Sequence, residues 1–132
     1  MSEADELDEI REQKAEELRE SDGGADAPDE PIHVDGADHF EELLSDYDQV
    51  FVDFYADWCG PCKMLEPTVE SLAAETDAAI AKVDVDQNQM LASQFQVQGV
   101  PTMILFADGE AVEQVVGVRD KDSLAQLIAQ HK

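Results

Sequence analysis

The chain has 132 residues, 43% of them hydrophobic, which is enough for one domain with a core and about 30 residues to spare. It carries 32 acidic and 8 basic residues, a formal net charge of −24. Such a balance excludes nucleic acid and anionic membrane surfaces as partners, since both need basic groups to meet phosphates, and no apolar run approaches the roughly 18–20 residues of a membrane span.

Residues 1–30 hold 13 of the acids against Arg11, Lys14 and Arg19. The opening MSEADELDEI is acidic from its third residue and does not resemble a secretory leader, so a cytoplasmic protein is expected. Positions 3–20 are rich in helix formers, but only Leu7, Ile10 and Leu18 are large and apolar, and Lys14 interrupts their stripe. Two readings stand: a docking or dimerising helix, and a solvated tail whose three apolar residues bury too little to hold a helix down. The run Ser21-Asp22-Gly23-Gly24-Ala25-Asp26-Ala27-Pro28 reads as a flexible linker. Residues 1–30 are therefore expected to be an acidic extension and linker, partly helical or disordered, and residues 31–132 the folded domain.

Ile32-His33-Val34 is a short strand candidate. Asp38 is placed to cap a helix with Phe40, Leu43, Leu44 and Tyr47 at i, i+3, i+4, i+7. Val50 to Tyr55 is a nearly continuous apolar run, as in a central strand covered on both faces. A helix is predicted from Cys59 to Glu75, with Pro67 as a kink inside it. A strand over Ala79–Val85 and a short helix over Asn88–Gln96, with Leu91 and Phe95 inward, follow. Thr102–Phe106 and Ala111–Val116 flank the hairpin signal Asp108-Gly109. Asp120 is placed to cap a last helix carrying Leu124, Leu127 and Ile128. The order β-α-β-α-β-α-β-β-α predicts an α/β fold: a mixed central sheet, parallel at first with an antiparallel hairpin added, flanked by helices on both faces.

Cys59 and Cys62 are the only cysteines, spaced C-G-P-C. A structural zinc site needs four ligands, and His33, His39 and His131 lie in unrelated segments. A structural staple closing so short a loop removes only about 2 kcal/mol of chain entropy, and a cytosolic setting disfavours it. Two inert buried thiols would leave the neighbouring residues unexplained. Dithiol–disulfide exchange fits best, because the pair sits at a strand-to-helix junction in a βαβ context. There the first helical turn stabilises a thiolate at Cys59, which is expected to be exposed. Cys62 falls on the apolar stripe with Leu65, Val69, Leu72 and Ala73 and is expected to be sheltered.

The segment Val52-Asp53-Phe54-Tyr55-Ala56-Asp57-Trp58-Cys59-Gly60-Pro61-Cys62-Lys63 closely resembles the active-site segment of the thioredoxin family. Pro67, Ala81-Lys82-Val83-Asp84, Gly99-Val100-Pro101-Thr102, Asp108-Gly109 and Gly117 fall in the family's order and spacing. The resemblance covers about residues 31–132; the extension lies outside it, and Tyr55 stands where many relatives carry Trp. It implies a protein-disulfide reductase, with Cys59 as nucleophile and Cys62 as resolving thiol. Asp53 would be the general base that takes the Cys62 proton, through a water, and Lys82 the lysine that tunes Asp53 by partial pairing. Pro101 matches the family's cis-proline. Trp58, Gly60, Pro61, Val100, Pro101 and Gly117 would form the substrate-binding patch. The family implies no bound metal or cofactor beyond the redox-active Cys59–Cys62 disulfide. Its partners are disulfide-containing proteins and a thioredoxin reductase drawing on NADPH or another donor, and the chain is expected to be a monomer. Two other readings are a dedicated electron donor selected by the acidic extension, and a non-catalytic binding module on the same fold.

The acid excess is not confined to the extension: residues 31–132 hold 19 acids against 5 bases. Self-repulsion on this scale destabilises a fold unless salt screens it. The composition therefore points to a salt-rich cytosol, as in a halophile, with an acidic mesophilic protein as the alternative.

Overall fold

The computed structural model describes residues 26–132, so the expected helix at 3–20 and most of the linker lie outside the described residues. The elements are β1 (Ile32–His33), α1 (Gly36–Asp46), β2 (Gln49–Tyr55), α2 (Gly60–Glu75), β3 (Ala79–Asp84), α3 (Gln89–Gln94), β4 (Thr102–Ala107), β5 (Glu110–Val116) and α4 (Lys121–Gln130). They occur in the predicted order. The sheet runs β1-β3-β2-β4-β5, with β1, β3 and β2 parallel and β4 and β5 antiparallel to their neighbours.

Strand alternation divides the core in two. Val50, Val52 and Phe54 of β2 point to one face, where they join Phe40 and Leu43 of α1 and Leu91 of α3. Phe51 points to the other face and packs with Leu65, Val69 and Leu72 of α2 and Leu124 and Ile128 of α4. Both faces of β2 are covered, which is why its sequence shows no polar alternation apart from Asp53. Gln49, at the start of the same strand, donates from Nε2 to the carbonyl of Ile128 at 2.9 Å and so ties β2 to the end of α4. On the first face, Phe40 and Phe106 meet edge to face with ring centroids 5.6 Å apart, and Phe95 meets Phe106 at 5.3 Å.

Some boundaries move by a residue or two, each for a local reason. Helix α1 starts at Gly36 rather than after Asp38, because Asp35 takes the N-cap position and its N–H donates to Nδ1 of His39 at 2.8 Å. Helix α3 stops short of Gln96, whose φ of 58° is left-handed. Asp108 and Gly109 both have positive φ, as a two-residue hairpin turn between β4 and β5 requires.

The parallel strands fix where a site can form. The chain leaves β2 for α2 on one face and β3 for α3 on the other, and these two strands are neighbours. Their carboxyl ends therefore border the crevice in which α/β sheets bind ligands.

Candidate active site

Cys59 follows β2 and forms the N-cap of α2, one position outside the first helical turn where the sequence placed it. Pro61, in the first turn, has a preset φ and costs nothing there, since its missing N–H would have no helical partner. Cys59 and Cys62 are joined by a disulfide, with Cα atoms 5.3 Å apart. The backbone N–H of Cys62 donates to Sγ of Cys59 at 3.1 Å. Thus one of the helix's otherwise unpaired N–H groups ends on the Cys59 sulfur, a placement that favours a thiolate there once the disulfide is reduced.

The expected exposure of Cys59 is not found. Cys59 is 4% and Cys62 3% exposed, so in the disulfide state the two are buried alike. The reason is packing: the pair forms a small core with Ala56, against which Tyr55, Val85 and Val100 rest. The Val100 carbonyl oxygen lies 3.7 Å from Sγ of Cys59. What separates the two cysteines is therefore position along the helix. Cys59 lies at its mouth beside exposed Trp58, Gly60 and Pro61, while Cys62 lies inside it on the stripe that continues as Leu65 and Val69.

The opposing wall is the loop before β4. The Val100–Pro101 peptide bond is cis, and the Pro101 carbonyl accepts from the Gly117 N–H at 2.9 Å. Thr102 Oγ1 donates to the Gly99 carbonyl at 2.6 Å. Gly117 has a φ of 94°, a backbone that favours glycine. Val100 and Gly117 are half-buried, Pro101 is buried, and Trp58 is 71% exposed with its Nε1–H donating to Oδ2 of Asp86 at 2.9 Å. That bond links the junction after β2 to the turn after β3. The predicted patch residues Trp58, Gly60, Pro61, Val100, Pro101 and Gly117 are thus carried on three segments: the Cys59 junction, the loop before β4 and the end of β5.

Asp53 lies on the α2 side of β2, two residues from Phe51 on the same face. It is 1% exposed, and neither carboxylate oxygen meets a hydrogen-bond donor among the described residues. Burial raises its pKa to about 7; Lys82 opposes the rise and Glu66 adds to it. Lys82 stands directly across the β2–β3 pair from Asp53 and acts on it through its charge, with no hydrogen bond between the two. The Lys82 ammonium instead lies 3.7 Å from Oε2 of Glu66 and 4.6 Å from the centre of the Tyr55 ring. Desolvation, and then Asp84 and Asp57, raise the Tyr55 phenol above its usual value. Glu66 is the residue sequence reasoning missed, although the signal was present: it follows Cys62 by four positions and so shares its side of α2.

No helix among the described residues is long and apolar enough to cross a membrane. The thioredoxin family model matches residues 31–130. A thioredoxin from Chlamydia caviae is 48% identical over 101 residues, which cover 76% of this chain and 98% of that one. Among solved structures, a mutant thioredoxin from Halobacterium salinarum is similar with a TM-score of 0.78 and 59% identity, over 82% of this chain and 96% of the other. A reduced thioredoxin pre-protein from Schistosoma mansoni is similar with a TM-score of 0.73 and 34% identity, over 78% and 99% of the two chains.

Proposed function

The chain belongs to the thioredoxin family, and from that membership we propose how its residues divide the work. It is a thiol–disulfide oxidoreductase whose Cys59–Cys62 pair performs reversible exchange with protein disulfides, and a reductase is its general partner on the other side of the cycle. In the reduced protein the Cys59 thiolate attacks one sulfur of a substrate disulfide. The substrate S–S bond breaks, its second sulfur leaves and takes a proton, and a mixed disulfide to Cys59 remains. Cys62 then gives its proton to Asp53, through a water, and the new thiolate attacks Sγ of Cys59. The mixed disulfide breaks, the remaining substrate sulfur leaves as a thiolate and takes a proton from solvent, and the two electrons the substrate gained are accounted for by the Cys59–Cys62 bond.

The observation that carries the assignment is the Cys62 N–H on the Cys59 sulfur at the mouth of α2. It makes Cys59 the better thiolate independently of exposure. Asp53 suits the base role because a carboxyl with a pKa of about 7 is half ionised at neutral pH and can both take and return a proton. Lys82 acts on it at a distance. Trp58, Gly60, Pro61, Val100, Pro101 and Gly117 bind an extended substrate segment, with backbone groups of the loop before β4 beside the sulfurs. The pair needs no bound cofactor. The match over residues 31–130 supports 31–132 as the working unit. On the composition and the family's ordinary chemistry, it acts as a monomer in a salt-rich cytoplasm, with electrons from a reductase that draws on NADPH or another donor.

Single-cysteine variants test the division of roles. Cys62→Ser mixed with a disulfide-bonded protein should accumulate a covalent adduct at Cys59, and Cys59→Ser should accumulate none. The reverse pattern would exchange the two roles.

A further inference from the structure

Lys82 faces Asp53 across neighbouring parallel strands, which run about 4.8 Å apart, so a flexible four-carbon stem could bring its ammonium onto the carboxylate. It does not do so. The ammonium is held 3.7 Å from Glu66 and over the Tyr55 ring, and neither oxygen of Asp53 meets a donor among the described residues. Lys82 is 9% exposed and Asp53 1%, whereas the Glu66 side chain is 48% exposed, so the lysine is drawn from a dry carboxylate toward one that reaches solvent. Glu66 belongs to α2, the helix that begins at the disulfide, whereas Asp53 and Tyr55 belong to β2 and Lys82 to β3.

We propose that Glu66 is a positioning residue for the exchange reaction: with the Tyr55 ring it holds the Lys82 ammonium away from Asp53, leaving that carboxylate unpaired and free to accept the Cys62 proton. The inference rests on Asp53 being the base but concerns what keeps it one. A lysine paired with Asp53 would favour the ionised carboxylate and weaken its pull on the Cys62 proton. Held by Glu66, the same lysine only moderates the effect of burial. The other groups facing Asp53 do not replace this arrangement. Cys62 on α2 is in the disulfide, Met103 opposite on β4 carries no charge, and Leu124 and Ile128 are what α4 buries against this side of the sheet.

The test is the titration of the Asp53 carboxyl itself, followed by carbon NMR in the oxidised protein. This readout does not depend on whether Asp53 serves as the base. In Glu66→Gln the amide keeps the side chain's length but releases the lysine, and the Asp53 midpoint should fall by about one pH unit. In a Lys82→Gln background, adding Glu66→Gln should move it by less than half as much, because there is no ammonium to redirect. Glu66→Asp, which keeps the charge, should restore most of the original midpoint. An unmoved midpoint in Glu66→Gln overturns the proposal. So does an equal fall with and without Lys82, since Glu66 would then act by its own field alone. If instead these shifts occur while Asp53→Asn leaves the exchange rate intact, it is the base assignment that fails, and the positioning stands.

Discussion

Asp53 is the only one of the 19 acids between residues 31 and 132 that is buried, and its burial links stability to pH. Its folded pKa is about 7 against an ordinary carboxyl value of 3.8, so between those values the folded protein holds a proton that the unfolded chain has released. Stability therefore falls as pH rises through that window, and the full penalty is in place above pH 7. The two pKa values convert to a penalty on the order of 4 kcal/mol. Asp53→Asn removes the ionisation while keeping the shape. Denaturant unfolding of the oxidised protein should show the wild type losing stability between pH 4 and pH 8 and the variant nearly level, with the variant more stable at pH 8. Parallel curves would mean that water reaches the carboxylate and relieves its desolvation. At this scale the sequence was informative about types and poor about partners. An acid in an apolar strand and a C-G-P-C junction stand out in one dimension. Which carboxylate Lys82 chooses depends on a helix residue 16 positions upstream, and the burial of Cys59 depends on Val100, 41 positions downstream.

The elements were legible wherever hydrophobic period and punctuation agreed. Strand β2 is one such case: its unbroken apolar run predicted cover on both sides, and the two core faces supply it. The hairpin was set by Asp108-Gly109. Ends were less legible, because they are decided by single tertiary contacts, such as the His39 ring taking the Asp35 N–H in place of a side-chain cap from Asp38. The rings of Phe40, Phe54, Phe95 and Phe106 join α1, β2, the end of α3 and β4 on the face away from α2. Phe40 is fully buried there, so Phe40→Ala should cost about 3–5 kcal/mol of folding stability. Because the cluster and the Asp53 carboxylate lie on opposite sides of β2, the folded variant should exchange disulfides at the wild-type rate. Denaturant midpoints and an exchange assay on the same sample separate the two effects. A matching loss of rate would show that the aromatic face also sets the position of the Cys59 junction.

For the molecule as a whole, charge and shape pull against each other. Nineteen acids and five bases between residues 31 and 132 sit almost entirely on the surface, and the described ion pairs involving lysine engage only Lys82, Lys121 and Lys132. Salt has two opposite effects on such a surface. It weakens exposed pairs such as Lys121–Glu75 and Lys132–Asp77, which solvent already screens. It also screens repulsion among the many carboxylates left over, and these outnumber the pairs several-fold. Screening should therefore win. Between about 0.05 M and 1 M potassium chloride the Debye length shrinks from more than 10 Å to about 3 Å, shorter than the spacing between most surface charges. The melting temperature should rise by about 10 °C over that range, which for a domain of this size corresponds to about 2 kcal/mol. The shape of the curve carries as much information as its height. Screening is nearly complete by 1 M, so the gain should level off there, whereas a rise that continues linearly to saturating salt would come from ions excluded from the protein surface. A melting temperature that does not change with salt would mean that the packed core alone outweighs the repulsion, and that the acidic surface is no adaptation to a salt-rich cytoplasm.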